Sequence, residues 1–459
     1  MITPAQENGR MLAHILGIGE DEAAARLEQS FCITAGAGEA VLFADELVAQ
    51  LERTVTHTPQ PDRCDLEIAI HAEPRQDAGK RLYVTIEADR VSVSRQPPHT
   101  DAKAPANLHG IQRMIAACYA ASVALSTLIE GIEQASAADP FVIRFDALGA
   151  TADVLATPVR LHDTVLAGAG AVGNGFLRAA RHLAISGELT IADPKVVGAG
   201  NPNRCLYFKI GDADAKAETL AARAQPDFPG LTLRPHIGTF QEVVEKQGCV
   251  RRVIVGTDSR TARRSIQSSL PLEVFDASTT GISEVIVHSH RQPNLNACLS
   301  CIYPHIPDEL ARARDIAAGL GLELNDVVSN ERIDARIARI LVTKHTGLDE
   351  AALIGKAFDS LFKELCSEQA LLLPTGEQVL APFAFVSNLA GALLALELAR
   401  FESGKRFQDE RNYLFLSPWA PPHGRARRIR PRLPGCEFCG RPTAYEALTA
   451  VWPELRRPQ

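Results

Sequence analysis

One six-residue turn constrains this chain more than any other feature. A β-rich run, Thr164 to Ala167, leads into Gly168-Ala169-Gly170-Ala171-Val172-Gly173, and an apolar helical stretch follows to about Ser186. A G-x-G-x-x-G between a strand and a helix lets the backbone turn tightly. It also brings N–H groups close to phosphate oxygens and aims the positive end of a helix at negative charge. The next β-rich run, Leu189 to Asp193, ends on an acid 20 residues beyond Gly173, where a carboxylate can accept hydrogen bonds from ribose hydroxyls. The alternation then continues. Asp212 is placed to cap a helix over Ala213 to Ala224, and strands are expected at Leu231 to Arg234, Val253 to Gly256 and Val274 to Ala277. Strands and helices in this order predict an α/β fold, a doubly wound and mostly parallel Rossmann-like sheet with helices on both faces.

The flanking regions read differently. Residues 1–150 form an α+β region with a helical start, a helix near Phe43 to Arg53, strands at Leu66 to Ala72 and Leu82 to Ile86, and a small-residue helix from Ile111 to Ile132. No catalytic constellation stands out in it. The nucleotide domain occupies 151–305. A charged helical insertion follows over 306–380, with a loop or break at Gly321 to Val328. Residues 381–459 carry a second small-residue helix, Phe385 to Phe401, and a tail rich in proline and arginine. Its cluster Arg425, Arg427, Arg428, Arg430 and Arg432 is expected on a solvated face. The runs 111–117 and 386–392 share a rough pattern, which fits either internal duplication or two unrelated alanine-rich core helices.

Composition removes several function classes. With 459 residues, 46% of them hydrophobic and 22% charged, the chain can build real cores and is not a disordered tract. Its net charge of -7 is the wrong sign for binding nucleic acid or anionic lipid over a whole face. Met1 to Glu20 lacks the basic start and apolar run of a secretion signal, so a cytoplasmic location is expected. Two uncharged stretches, Gln378 to Leu396 and Met114 to Ile129, contain polar residues, and Pro382 interrupts the first; both read as packed helices rather than membrane spans.

Ten cysteines in such a chain are read as thiols and metal ligands rather than a disulfide framework. Cys298 and Cys301, and Cys436 and Cys439, form two Cys-x-x-Cys knuckles, and two such knuckles make a closed tetrahedral zinc site. Neither knuckle has the βαβ context of a redox pair. Cys32, Cys64, Cys118 and Cys249 are read as core residues. His288 and His290 alternate, so they share one face of a strand; with His305 they are assigned surface roles or support behind the knuckle.

The run Asp193-Pro194-Lys195-Val196-Val197-Gly198-Ala199-Gly200-Asn201-Pro202-Asn203-Arg204, with Lys216 beyond it and Thr257-Asp258 after a later strand, resembles the ThiF/MoeB and ubiquitin-activating enzyme superfamily. That resemblance implies an adenylation domain in which Gly168, Gly170, Gly173 and Asp193 hold ATP and Arg204 and Lys216 grip its phosphates. It further implies that Asp258 binds Mg²⁺, that Asn201 and Arg263 help orient the phosphates, and that the four knuckle cysteines hold Zn²⁺. The chain departs from the pattern at Lys195, where a second aspartate is frequent, and at Asn174, where a serine or cysteine usually follows.

The same resemblance implies a reaction: adenylation of the C-terminal carboxylate of a ubiquitin-like β-grasp protein, then thioester formation on the chain's own cysteine. Cys366, at the end of the insertion with Lys363 nearby, is the candidate nucleophile, alongside a buried structural reading; Cys205 is a weaker candidate. A conjugating enzyme would accept the thioester. The N-terminal region would be an inactive adenylation half of a dimer or pseudo-dimer, completing the ATP site with an arginine for which Arg10 and Arg26 are candidates. A homodimer, with no nucleic acid or membrane partner, is expected. The alternatives are adenylation of a sulfur-carrier protein, a nicotinamide-dependent oxidoreductase, which leaves Arg204, Lys216 and Asp258 without a role, and a silent nucleotide-binding scaffold.

Overall fold

The computed structural model describes residues 3–456, apart from 61–62, 76–78, 99–103, 281–282, 305–309, 331, 346, 357, 359–360, 363–364, 366–381 and 406–410. Two sheets organise the chain. The first contains β1 (Ser30–Ala35), β2 (Thr56–His57), β3 (Leu66–Ile70), β4 (Lys80–Ile86), β5 (Arg90–Ser94) and β6 (Phe141–Arg144), in the spatial order β2-β1-β3-β4-β5-β6. The second contains β7 (Val159–Ala167), β8 (Ile185–Ala192), β9 (Leu231–His236), β10 (Arg252–Val255), β11 (Glu273–Thr280), β12 (Glu284–Arg291), β13 (Tyr413–Leu416) and β14 (Arg427–Arg428). Its order is β14-β13-β12-β11-β10-β7-β8-β9. Strands β9, β8, β7, β10 and β11 run parallel, as the alternation predicts, and β12, β13 and β14 are added antiparallel.

The two sheets are wired alike. In the first, β2, β1, β3 and β4 are parallel and β5 and β6 antiparallel, and a helix, Gly110–Leu128, joins β5 to β6. In the second, β8, β7, β10 and β11 are parallel, β12 and β13 antiparallel, and Ala384–Glu402 lies in the connection from β12 to β13. These two helices are long and apolar enough to cross a membrane, but their apolar windows are 83% and 100% buried inside the protein. They pack on each other, and 384–402 also packs on the Ala171–Ala180 helix and on β11 and β12. Glycine permits that approach: a Cβ on Gly175 would come within 2.9 Å of the Asn388 Cα. Sheets with one face on a shared helical layer bury a core far larger than either could alone.

Several local expectations change. Asp212 does not cap a helix. Lys216–Ala224 starts four residues later, behind Ala215, and Asp212 instead accepts the Lys209 N–H and pairs with Arg223. Residues 324–328 form a short helix rather than a loop, after Gly321 closes the preceding one in the left-handed conformation. Arg427, from the cluster assigned to a solvated face, is buried and paired with Glu397 at 2.6 Å, while Arg428 lies over the Tyr413 and Phe415 rings. Cys32 and Cys64 are joined as a disulfide, not separate core thiols; pairing of β1 with β3 brings their Cα atoms to 5.8 Å. Cys118 is buried, but Cys249 is exposed because it lies in the loop after the Phe240–Gln247 helix.

Where the halves meet, His182 sits under the start of the 110–128 helix, where a Cβ on Gly110 would overlap its ring, and its Nε2 accepts from Arg181 Nε at 3.3 Å. Burial, with Arg181 beside it, lowers the His182 pKa from 6.5 to about 4. Between those values the unfolded chain binds the proton and the folded chain does not, so this residue makes stability fall as pH drops from 6.5 to 4. His182→Gln is expected to flatten that acid slope by about 2 kcal/mol, measured by urea unfolding at pH 7 and pH 4.5; an unchanged slope would exclude His182 as its origin.

Candidate nucleotide and zinc sites

The first site lies at the C-terminal edge of the parallel strands, where an open α/β sheet leaves a crevice. Gly168, at the end of β7, has φ of +108°, and a Cβ there would crowd the 256–257 backbone at 2.9 to 3.0 Å. A Cβ on Gly173 would strike the Gly168 carbonyl, whereas one on Gly170 would meet nothing within 4 Å. The loop is thus closed on the protein side and open at Gly170, the N-cap of the 171–180 helix, which has no side-chain cap on its first N–H groups. That is the surface a phosphate requires.

Asp193 is buried just past β8, its Oδ2 accepting the Ala169 N–H and its Oδ1 the Lys195 N–H, each at 2.8 Å. These bonds fix the carboxylate beside the glycine loop and leave acceptor capacity for ribose hydroxyls. Asn174, one of the two departures from the pattern, is fully buried. Its Nδ2 donates to the Ala169 and Gly170 carbonyls at 3.0 Å, and its Oδ1 accepts the Tyr207 N–H at 3.1 Å. It ties the glycine loop to the segment carrying Arg204. Lys195, the other departure, places its Nζ 3.5 Å from Asp258 Oδ2, across the crevice between the segments that follow β8 and β10.

The remaining candidates divide. Asn201 Oδ1 accepts the Gly198 N–H at 2.9 Å, closing the turn before Arg204, whose Nη1 donates to Asn203 Oδ1 at 2.8 Å. Lys216 opens its helix, its N–H bonded to the Lys195 carbonyl at 2.9 Å. Cys205 directly follows Arg204, and the charges of Lys216, Asp193 and Arg53 also act on it. It is buried, and burial pushes its thiol pKa up, opposite to what a nucleophile needs. Arg263 is buried, its Nε bonds Asp276 Oδ1 at 2.8 Å, its guanidinium lies 4.5 Å over Tyr303, and the charge of Asp258 also acts on it. Cys366 and Lys363 lie outside the described residues.

Contacts from the N-terminal region were not legible in sequence. The Pro4–Leu16 helix packs on residues 201–203: Asn203 Nδ2 donates to Asn8 Oδ1 at 3.4 Å, and a Cβ on Gly200 would come 2.7 Å from the Glu7 carboxylate. Arg53 donates to the Pro202 carbonyl at 2.8 Å. Arg10 shares the Pro4–Leu16 helix but pairs with Glu20 at 3.3 Å, and Arg26 pairs with Glu22 at 2.7 Å. No motif marks Arg53, since only the docking of the halves brings it there.

The second site gathers Cys298, Cys301, Cys436 and Cys439, whose sulfurs all lie within 4.8 Å of one another. Cys298 is 3.7 Å from both Cys301 and Cys436, and Cys301 is 3.3 Å from Cys439. Four thiolates about 2.3 Å from a tetrahedral ion stand about 3.8 Å apart, so the donor set and its dimensions fit Zn²⁺. The Leu433 N–H donates to Cys301 Sγ at 3.3 Å, as second-sphere donors do for thiolate ligands. His288, buried rather than on the surface, reaches the Ala297 carbonyl at 3.0 Å just before the first knuckle; its ring lies 5.2 Å from that of His290.

The two sites share the Arg260–Ser268 helix, which begins two residues after Asp258. Gln267 Oε1 accepts the Leu299 N–H at 3.0 Å, Arg264 Nε bonds Glu437 at 3.0 Å, and Tyr303 donates to the same Asp276 that holds Arg263, at 2.7 Å. Burial alone would lower the Arg263 pKa, but Asp276 and Tyr303 outweigh it and hold it above its usual value.

Known proteins bear on the whole arrangement. The uncharacterized protein y4jF of Sinorhizobium fredii is 29% identical over 268 residues, 54% of this chain and 50% of that protein, so the chain spans about half the length of this curated relative. A crystal structure of E. coli MccB with ATP aligns with 78% of this chain and 98% of its own at 14% identity and a TM-score of 0.38. An E1 N-terminal domain model matches residues 1–151. The ThiF family model matches residues 157–438, well over half of the sequence, and the chain belongs to the ThiF family.

Proposed function

We propose that the chain is an adenylyltransferase that activates the C-terminal carboxylate of a ubiquitin-like β-grasp protein with ATP. The observation that carries this reading is an open glycine loop flanked by Asp193 and the Lys195–Asp258 pair, with the segments that carry Arg204 and Lys216 tied to it through Asn174 and the Lys195 carbonyl. The acceptor carboxylate forms a bond to the α-phosphorus of ATP while pyrophosphate leaves. Two anionic partners must meet, so the site has to supply positive charge where it accumulates. Arg204 and Lys216 do so on the phosphates, the open N-terminus of the 171–180 helix adds its dipole, and Asp193 holds the ribose. Asp258 would hold Mg²⁺, which supplies charge neutralisation between phosphate oxygens; one exposed carboxylate fits an ion coordinated mainly by phosphates and water. Zn²⁺ held by the four cysteines would be structural, with no open position.

The N-terminal region acts as an inactive half in this reading. It repeats the strand order and the helix between the last two strands, and a Gly36-Ala37-Gly38 turn follows β1 as Gly168-Ala169-Gly170 follows β7. Glu39 then opens the next helix, with Arg113 bonding its carboxylate at 2.6 and 2.9 Å. An anionic side chain there takes the place where phosphates meet the equivalent helix of the other half. Arg53, bonded to the Pro202 carbonyl, is the arginine it can offer the active half.

The test is ATP–pyrophosphate exchange with co-encoded β-grasp proteins. Exchange dependent on one of them supports the reading; tight NAD binding without exchange refutes it. The fate of the acyl-adenylate separates a modifier from a sulfur carrier, as a thioester on the enzyme or a thiocarboxylate on the small protein. Cys366→Ala is expected to leave exchange within about twofold of the parent and to remove a thiol-sensitive conjugate on non-reducing gels. A conjugate that survives would move the thioester to another cysteine.

A further inference from the structure

A cavity of about 480 Å³ lies at the seam between the N-terminal half and the C-terminal strands, lined by Arg144, Asp146, Arg400, Arg411, His423 and Arg427 among others. It is remote from the glycine loop. Arg400 lies in the last turn of the 384–402 helix, and Glu402 in that turn pairs at 2.6 Å with Arg252 at the start of β10, the edge opposite the nucleotide crevice.

Its back wall is cationic and built. The Arg400 and Arg427 side chains are 7% and 4% exposed, and both converge on one carboxylate, Glu397, at 3.5 and 2.6 Å. Glu397 also accepts the Ser289 hydroxyl at 2.7 Å. Arg427 Nη2 reaches the Leu148 carbonyl at 3.4 Å, while its buried Nε has no hydrogen-bond partner. Gly149, with φ of +73°, makes room for Arg400, whose Nη1 occupies the space a Cβ would take. At the rim Arg144 chelates Asp146 at 2.7 and 3.0 Å, and Asp146 is the only carboxylate lining the cavity among the described residues. Burying guanidinium groups is costly unless anions compensate, and the planar Arg fork matches phosphate oxygens in pairs. The volume is that of a small-molecule site.

We propose that this cavity binds a phosphorylated small molecule, held by Arg400 and Arg427 with Arg144 and Arg411 at the entrance, as a site separate from the nucleotide crevice. The probe is inorganic pyrophosphate, titrated calorimetrically into the full chain carrying Arg204→Ala and Lys216→Ala, so that the crevice no longer competes. Saturable binding at one site per chain is expected, weakened about tenfold or more when Arg144→Gln and Arg411→Gln are added. These rim residues are exposed enough to be replaced without unfolding the chain. Phenylglyoxal modification of the silenced chain with its rim intact, mapped by peptide mass, gives an independent readout: pyrophosphate should protect the exposed Arg144 and Arg411. Absence of binding in the silenced background, binding unaffected by the rim substitutions, or no protection of Arg144 and Arg411 would overturn the proposal. Neither outcome bears on the adenylation reading, which uses other residues.

Discussion

Asp258→Ala is expected to lower ATP–pyrophosphate exchange by about a hundredfold or more, the effect of removing one preorganised electrostatic group from a charge-developing transition state. The side chain is 68% exposed, with its carboxylate 3.5 Å from Lys195, so the substitution should leave folding almost unchanged. Thermal unfolding within a degree or two of the parent, with exchange lost, is therefore the diagnostic combination. Exchange within tenfold of the parent would remove Asp258 from the reaction. Lys195→Ala is the informative companion, because Lys195 stands 3.5 Å from the carboxylate proposed to hold Mg²⁺. If the lysine moves onto the phosphates when ATP binds, its loss raises the KM for ATP; if it only restrains Asp258, its loss lowers the magnesium concentration needed.

The second large effect concerns the cysteine cluster. Metal analysis should find about one zinc per chain, and Cys436→Ser with Cys439→Ser should abolish it. Four clustered thiols without their ion lose a binding free energy that is otherwise part of folding, and a fall in Tm of about 10 °C is expected for a loss of several kcal/mol. The effect should not stop at the tail. Leu299, Tyr303 and Glu437, all in or beside the knuckles, brace the 260–268 helix that follows Asp258. Zinc loss should therefore raise the KM for ATP. Tyr303→Phe, which keeps the zinc but loses the hydroxyl bonded to Asp276 and Ser278, should do the same to a smaller degree. Zinc-depleted protein that keeps its parent Tm would show that the cluster is not a structural metal site.

Local chemistry made much of this legible. Gly168 and Gly173 are demanded by backbone conformation and close approach, Gly170 completes the short motif between them, and Asp193 follows at the end of the next strand, so all four are found without any distant residue. The two knuckles were visible because metal ligands must be close in pairs, although their union needed the fold. Misreadings came from residues whose partners are remote. Asp212 looked like an N-cap but is bound by Arg223, and Arg427 looked solvated but faces Glu397 from 30 residues away. Cys32 and Cys64 looked independent because β1 and β3 pair only once the first sheet forms.

Taken alone, the sequence determined the nucleotide-binding half: a 3.6-residue and a two-residue hydrophobic rhythm, punctuated by glycine and ended by an acid, are short-range signals. Tertiary structure decided what surrounds it. The N-terminal sheet repeats the wiring of the second without its motif, because strand order depends on hydrogen-bonded partners tens of residues apart. Likewise, only packing of the halves places Arg53 beside Pro202 and four arginines around one cavity. Electrostatic sites of that kind arise from side chains that share space rather than sequence, and no local pattern can announce them.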